Sequence, residues 1–220
     1  MKSNIARWTG YFGIGIFVLN MAVIPLYFIY NDAPPLWNVL TRGLINIFSC
    51  VGVIAFVTGL QHVIGNEDPG RKFLGTFISL TGLSYAVLVL VAESIQIGSV
   101  WAHTEPIDPT VVGNGGEGAL LIYGPIERIL SAAILIASGA AIRRTVIVPA
   151  WIGWFSYVAG LYQLAFVPTI FFMSNPTNFY STNGWNIPIA GGVFLFWILL
   201  TSIYLVLKKG DPMERAVIIS

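Results

Sequence analysis

The chain has 220 residues, of which 56% are hydrophobic and only 10% charged, and its formal net charge is +1. A soluble domain carries about 25% charged residues, and soluble helices of this number would need charged outer faces that these lack. The near-neutral balance offers no basic field, so nucleic acid is excluded as a partner.

Six apolar stretches follow one another at 8–30, 40–64, 73–97, 119–142, 146–173 and 187–207, separated by short polar loops. Each is long enough to cross ~30 Å of hydrocarbon as a helix rising ~1.5 Å per residue. The predicted fold is all-α: a polytopic transmembrane bundle of six helices, forming one domain over 1–220 with a carboxyl tail at 208–220. Membrane lipids are its expected surroundings.

The first stretch is read as a retained helix. Its apolar run exceeds that of a signal peptide, and Ile24-Pro25-Leu26-Tyr27 lacks a small-x-small cleavage pattern. Pro25 is expected to kink it late, as Pro168 should kink the fifth. The second stretch holds Cys50, the one cysteine, read as a small packing residue that forms no intrachain disulfide. The segment 98–118 is the longest loop. Its Glu105-Pro106, Asp108-Pro109 and Gly113-Asn114-Gly115-Gly116 predict irregular structure, either a lid or a mobile connection. Asn175-Pro-Thr is no glycosylation acceptor, because proline fills the middle position.

Nine of the eleven basic residues share one predicted side: Lys2, Arg7, Arg71, Lys72, Arg143, Arg144, Lys208, Lys209 and Arg215. The positive-inside rule then predicts a cell-membrane protein with both termini cytoplasmic. Trp37, Trp101 and Trp185 mark the outer interface, and Trp8, Trp151 and Trp154 the inner one.

The odd-numbered stretches share a register. Trp8-Thr9-Gly10-Tyr11-Phe12 matches Trp151-Ile152-Gly153-Trp154-Phe155, and Asn20, Ala22, Pro25 and Phe28 then fall opposite Gln163, Ala165, Pro168 and Phe171. The third stretch joins through Gly75 and Gly82, which places Tyr85 opposite Asn20 and Gln163. Gly43 with Asn46 resembles Gly124 with Glu127 in the even stretches. All odd stretches run in one direction, so this predicts three parallel-repeated helical hairpins, and Gly10, Gly75 and Gly153 should lie at equivalent depth.

Glu127 and Arg128 fall close to mid-membrane in the fourth stretch. A charge at a helix centre costs about 2.5–3.5 kcal/mol on insertion scales, so such residues must be paired, wet or protonated. As neighbours they project about 100° apart and should not satisfy each other. Arg128 is therefore expected to pair with Glu93 of the third stretch, with Glu127 facing elsewhere. Tyr123, Glu127 and Ser131 form one predicted polar stripe, and Arg42, Asn46 and Ser49 another. Tyr85, Glu93 and Gln96 lie on one broad face, and Asn20 and Gln163 each add an amide.

The candidate substrate-binding residues are thus Asn20, Arg42, Asn46, Tyr85, Glu93, Tyr123, Glu127, Arg128 and Gln163. They would either line a cavity in the outer half of the bundle or glue the helices together. His62 and His103 lie too far apart for a shared haem, no metal cluster is visible, and no cofactor is assigned.

Pro34-Pro35-Leu36-Trp37-Asn38-Val39-Leu40-Thr41-Arg42, followed by Gly59-Leu60-Gln61-His62, resembles a family of bacterial six- to seven-helix membrane proteins known as a domain of unknown function. Val148-Pro149-Ala150-Trp151-Ile152-Gly153-Trp154 and Ala159-Gly160-Leu161-Tyr162 are similar to that family's hairpin into its late helix, although the family has a basic residue where this chain has Ala150. The resemblance implies a bacterial inner-membrane protein and carries no activity. The leading functional expectation is binding or transport of a small molecule through an outer-facing polar pocket. The alternatives are a non-catalytic accessory or assembly subunit that docks a membrane-protein partner through small-residue faces, and an intramembrane lipid-modifying enzyme using Glu93 and Glu127.

Overall fold

A computed structural model describes residues 2–30, 32–111, 113, 115–143, 148–172, 175, 177–182 and 184–207. The predicted tail at 208–220, Arg144 and the first residues of the stretch expected from 146 lie outside the described residues. Within them the chain is all-helical, and six helices are long and apolar enough to cross a membrane. It is a multi-pass membrane protein.

Among the described residues seven α-helices build the six spans. They are α1 (Lys2–Val23), α2 (Leu36–Glu67), α3 (Lys72–Trp101), the short α4 (Glu117–Leu121), α5 (Glu127–Ile142), α6 (Ala150–Ala165) and α7 (Asn186–Leu207). Each span packs on its neighbours in the chain, and α7 returns to α1, so the spans close a ring in chain order. Large apolar side chains such as Val18, Leu80, Val158 and Leu161 are exposed on the outside of the ring. In water that would be unstable; against lipid tails it is the expected outer surface. Trp197 of α7 lies fully buried at the centre, stacked on Phe194 and edge-on to Phe56 of α2.

Proline shapes three spans. After α1 the chain tightens into a 3-10 turn over Ile24–Tyr27, and after α6 it does the same over Val167–Phe172. Pro25 and Pro168 sit second in each turn, because proline removes the donor that would continue the α-helix. Carbonyls at these ends are met by side chains that follow in the chain: Asn38, in the first turn of α2, donates to Leu26 O, and Tyr180 of the next loop donates to Ala165 O.

The third break was not expected. The stretch 119–142 reads as one helix, but α4 and α5 are separated by a widened turn at Ile122–Ile126 in which Gly124 leaves helical geometry. Pro125 has no N–H to give and its ring crowds the preceding turn, so Gly124 absorbs the change of direction. The fourth span is also the most enclosed, with 56% of its apolar window buried against 28–39% for the others.

The repeat recurs in the packing. Gly10 of α1 seats against Ser202 and Val206 late in α7, Gly75 of α3 against Gln61 late in α2, and Gly153 of α6 against Gly139 and Arg143 at the end of α5. Each time an odd-span glycine meets the last turns of the even span before it in the ring, at the same end of the bundle. A built Cβ would approach its neighbour to 2.6 Å at Gly10, 3.1 Å at Gly75 and 2.5 Å at Gly153, so these glycines set how closely the helices lie.

At that same end, Arg71 from the turn before α3 donates to the carbonyls of Ala140 and Ala141 and pairs with Asp68 at 2.6 Å. A cation thereby caps the last turn of α5 and ties it to the α2–α3 turn.

Candidate functional site

Among the described residues, Glu93, Glu127 and Arg128 belong to one connected chain of polar groups, and Asn20 forms a separate pair with Ser49. On α3, Glu93 is buried and accepts at Oε1 from Asn46 Nδ2 of α2 at 2.6 Å and from the Tyr123 hydroxyl at 2.5 Å. Gly43, one turn before Asn46, leaves room for that carboxylate: a Cβ there would lie 3.3 Å from Glu93 Oε2. Asn46 and Glu93 stand roughly 12–15 Å from the Leu36 and Trp101 helix ends, counted at the helical rise.

The helix break carries the chain onward. Tyr123 turns its hydroxyl to Glu93, and its carbonyl accepts from Arg128 Nη2 at 3.2 Å. The same Nη2 donates to Ile187 O of α7 at 3.0 Å, and Nη1 donates to Gln163 Oε1 of α6 at 3.1 Å. Gln163 Nε2 continues to Ala190 O at 2.7 Å. Arg128 is 1% exposed, and its Nε has no partner among the described residues. Glu127 accepts from the Tyr85 hydroxyl at 2.9 Å and lies 3.8 Å from Arg128 Nη1. Five elements are thus linked: α2, α3, the broken fourth span, α6 and α7.

The expected Arg128–Glu93 contact does not form. Glu93 is taken by Tyr123 and Asn46, while Arg128 projects to α6 and α7. The break at Gly124 is the cause: it re-aims Tyr123 toward α3 and separates it from Glu127, so the predicted Tyr123–Glu127–Ser131 stripe is split. Ser131 bonds the backbone carbonyls of Glu127 and Arg128, within its own helix. The expectation that Glu127 and Arg128 would not meet is also corrected. The flexible arginine stem folds back to ion-pair distance, though beyond hydrogen-bond reach.

Asn20 stands apart. Its Nδ2 donates to Ser49 Oγ at 2.7 Å and to Ile16 O, which joins α1 to α2 and does not reach the acids. Ser49 accordingly leaves the stripe expected with Arg42 and Asn46. Arg42 is 6% exposed and lies over the Tyr27 ring, 4.3 Å from its centroid.

The repeat register has a chemical counterpart here. Asn20 of α1 donates to α2, Tyr85 of α3 donates to α5, and Gln163 of α6 donates to α7. At one repeat position, each odd span bonds to the even span that follows it.

Several partners had no sequence signal of their own. The carbonyls of Ile187 and Ala190 belong to an apolar helix, and Tyr27 looks like an interfacial aromatic. The Trp197–Ser156 bond of 2.7 Å was likewise hidden in two apolar stretches. The Gly124-Pro125 dipeptide was the one visible cue to the break. The irregular segment expected over 98–118 is shorter than read, because α3 runs on to Trp101 and α4 begins at Glu117; between them Gly113 and Gly115 stand at φ +94° and +78°, and the chain folds on itself through Asp108, Thr110 and a buried Pro109.

No family model, curated protein or solved structure matches this chain.

Proposed function

We propose that this membrane protein binds a small molecule between its helices, at the Glu93–Tyr123–Arg128–Glu127 network, and that this binding serves transport from the side of the 98–118 loop. One observation carries the reading: two carboxylates and a guanidinium lie joined at a helix break in the most enclosed span. Ionisable groups at membrane depth are costly, and they gather where substrates pass. Broken helices with freed carbonyls are where transporters build such sites. A pair that only held helices together would not require a second acid, a break and an arginine with a donor to spare. The resemblance to bacterial membrane proteins and the distribution of basic residues support a cell-membrane location with cytoplasmic termini.

Solvent access tests the reading. In a Cys50→Ala background, Glu127→Cys should react with a membrane-impermeant thiol reagent added from the loop side, and Ile134→Cys should not. Failure of Glu127→Cys to react from either side would overturn it.

A second reading, an accessory subunit, draws on the near-complete burial of Glu93, Arg128 and Gln163. Many glycine contacts are internal: Gly10, Gly13, Gly59, Gly82 and Gly160 pack within the chain, whereas Gly15, Gly191 and Gly192 meet nothing within 4 Å and remain open to a partner.

A further inference from the structure

Arg42 is the buried cation that the network leaves without a hydrogen bond. Among the described residues the ion pairs are Arg71–Asp68 and Arg128–Glu127, and neither a carboxylate nor a carbonyl bonds the Arg42 guanidinium. It is 94% removed from solvent all the same, being 6% exposed. Two acids lie within electrostatic range of the Tyr27 hydroxyl beside it, Glu93 and Asp108. Both are engaged elsewhere: Glu93 by Asn46 and Tyr123, Asp108 by Thr110.

A guanidinium held over an aromatic ring is attracted to the ring face and still presents its planar fork of N–H donors. That planar fork matches the paired oxygens of a carboxylate or phosphate, which it binds by two parallel charge-assisted bonds. Arg42 lies roughly 9 Å along α2 from Leu36, between the loop end of the bundle and the Asn46–Glu93 bond one turn deeper. A molecule coming from the loops would meet the cation first and the acids after it.

We propose that Arg42, held on Tyr27, is the receptor for an anionic oxygen group, carboxylate or phosphate, on the molecule that enters the network. The inference rests on the binding reading above and gives its ligand a class. The group belongs either to a soluble anion or to a lipid headgroup, and the chemistry at Arg42 is the same.

The full chain in a neutral detergent is melted with sodium acetate or sodium phosphate, against sodium chloride at matched ionic strength. In parallel, the chain in phosphatidylcholine bilayers is melted with and without phosphatidylglycerol. The expected result is stabilisation by at least one anion source, with affinity reduced about tenfold or more in Arg42→Gln. Tyr27→Phe keeps the ring and the response; Tyr27→Leu weakens it. A response to phosphatidylglycerol alone supports the receptor and assigns the anion to a headgroup. Absence of any anion response in the unaltered chain, or an equal response in Arg42→Gln, overturns the proposal. If Arg42→Gln does not fold, Arg42→Lys decides, because it keeps the charge and loses the fork: undiminished affinity there overturns the proposal. The binding reading fails separately. Unreactive Glu127→Cys with anion binding intact sinks the network site and leaves the receptor, whereas reactive Glu127→Cys without anion binding does the reverse.

Discussion

The guanidinium of Arg128 donates to Gln163 Oε1 at 3.1 Å, and that bond ties the broken fourth span to the fifth. Gln163 then reaches Ala190 O on α7, so one buried amide holds three spans. Gln163→Leu keeps the volume approximately and removes both bonds. Leaving a buried charged donor without its acceptor costs about 1–3 kcal/mol. The expected outcome is a clear drop in the thermal midpoint in detergent, larger than for Asn20→Leu, whose bonds stay between α1 and α2. Equal drops would mean that Arg128 finds another acceptor.

The two acids should respond differently to neutralisation. Glu93 accepts from uncharged donors, and Glu93→Gln preserves an acceptor oxygen for Asn46 and Tyr123. Glu127 is the carboxylate within ion-pair distance of Arg128. Removing one partner of a buried pair leaves an uncompensated charge, at about 3–5 kcal/mol in other proteins. Glu127→Gln should therefore destabilise more than Glu93→Gln. The sequence pointed to the opposite order, because it could not show which way Arg128 turns. Chemical or thermal unfolding of the two single variants decides, and a larger loss for Glu93→Gln would contradict the observed pairing.

What could be read beforehand follows a physical divide. Hydropathy sums over some twenty residues, so the six spans and their order were legible. The register of Asn20, Tyr85 and Gln163 was legible too, since Pro25 and Pro168 with the glycines gave it a frame. Side-chain partners inside the ring were not. They depend on helix rotation and on one departure at Gly124, which re-aims Tyr123 and changes which acid meets which donor. Backbone carbonyls such as Ile187 O carry no residue-type signal at all.

Tyr123 and Glu93 should be energetically coupled across the break. A double-mutant cycle with Tyr123→Phe and Glu93→Gln isolates their bond of 2.5 Å. Interhelical hydrogen bonds in membranes average about 0.6 kcal/mol and reach about 1.7, and this one, accepted by a buried carboxylate, is expected toward the upper end. Coupling near zero would place Tyr123 in some other arrangement.

The glycine contacts make a matched test of the repeat. At Gly10 a Cβ would lie 2.6 Å from the Ser202 carbonyl, a backbone atom that cannot swing aside, whereas nothing lies within 4 Å of Gly15 on the same helix. Gly10→Ala should force α1 away from α7 and cost about 1–3 kcal/mol, as overpacking does. Gly15→Ala should be neutral or stabilise by up to about 1 kcal/mol, since alanine favours the helix. Gly75→Ala is expected between them, its nearest neighbour standing at 3.1 Å. Thermal midpoints in one detergent check the order. A harmless Gly10→Ala would mean that the α1–α7 contact closing the ring is looser than the geometry has it, and the shared role of Gly10, Gly75 and Gly153 would fall with it.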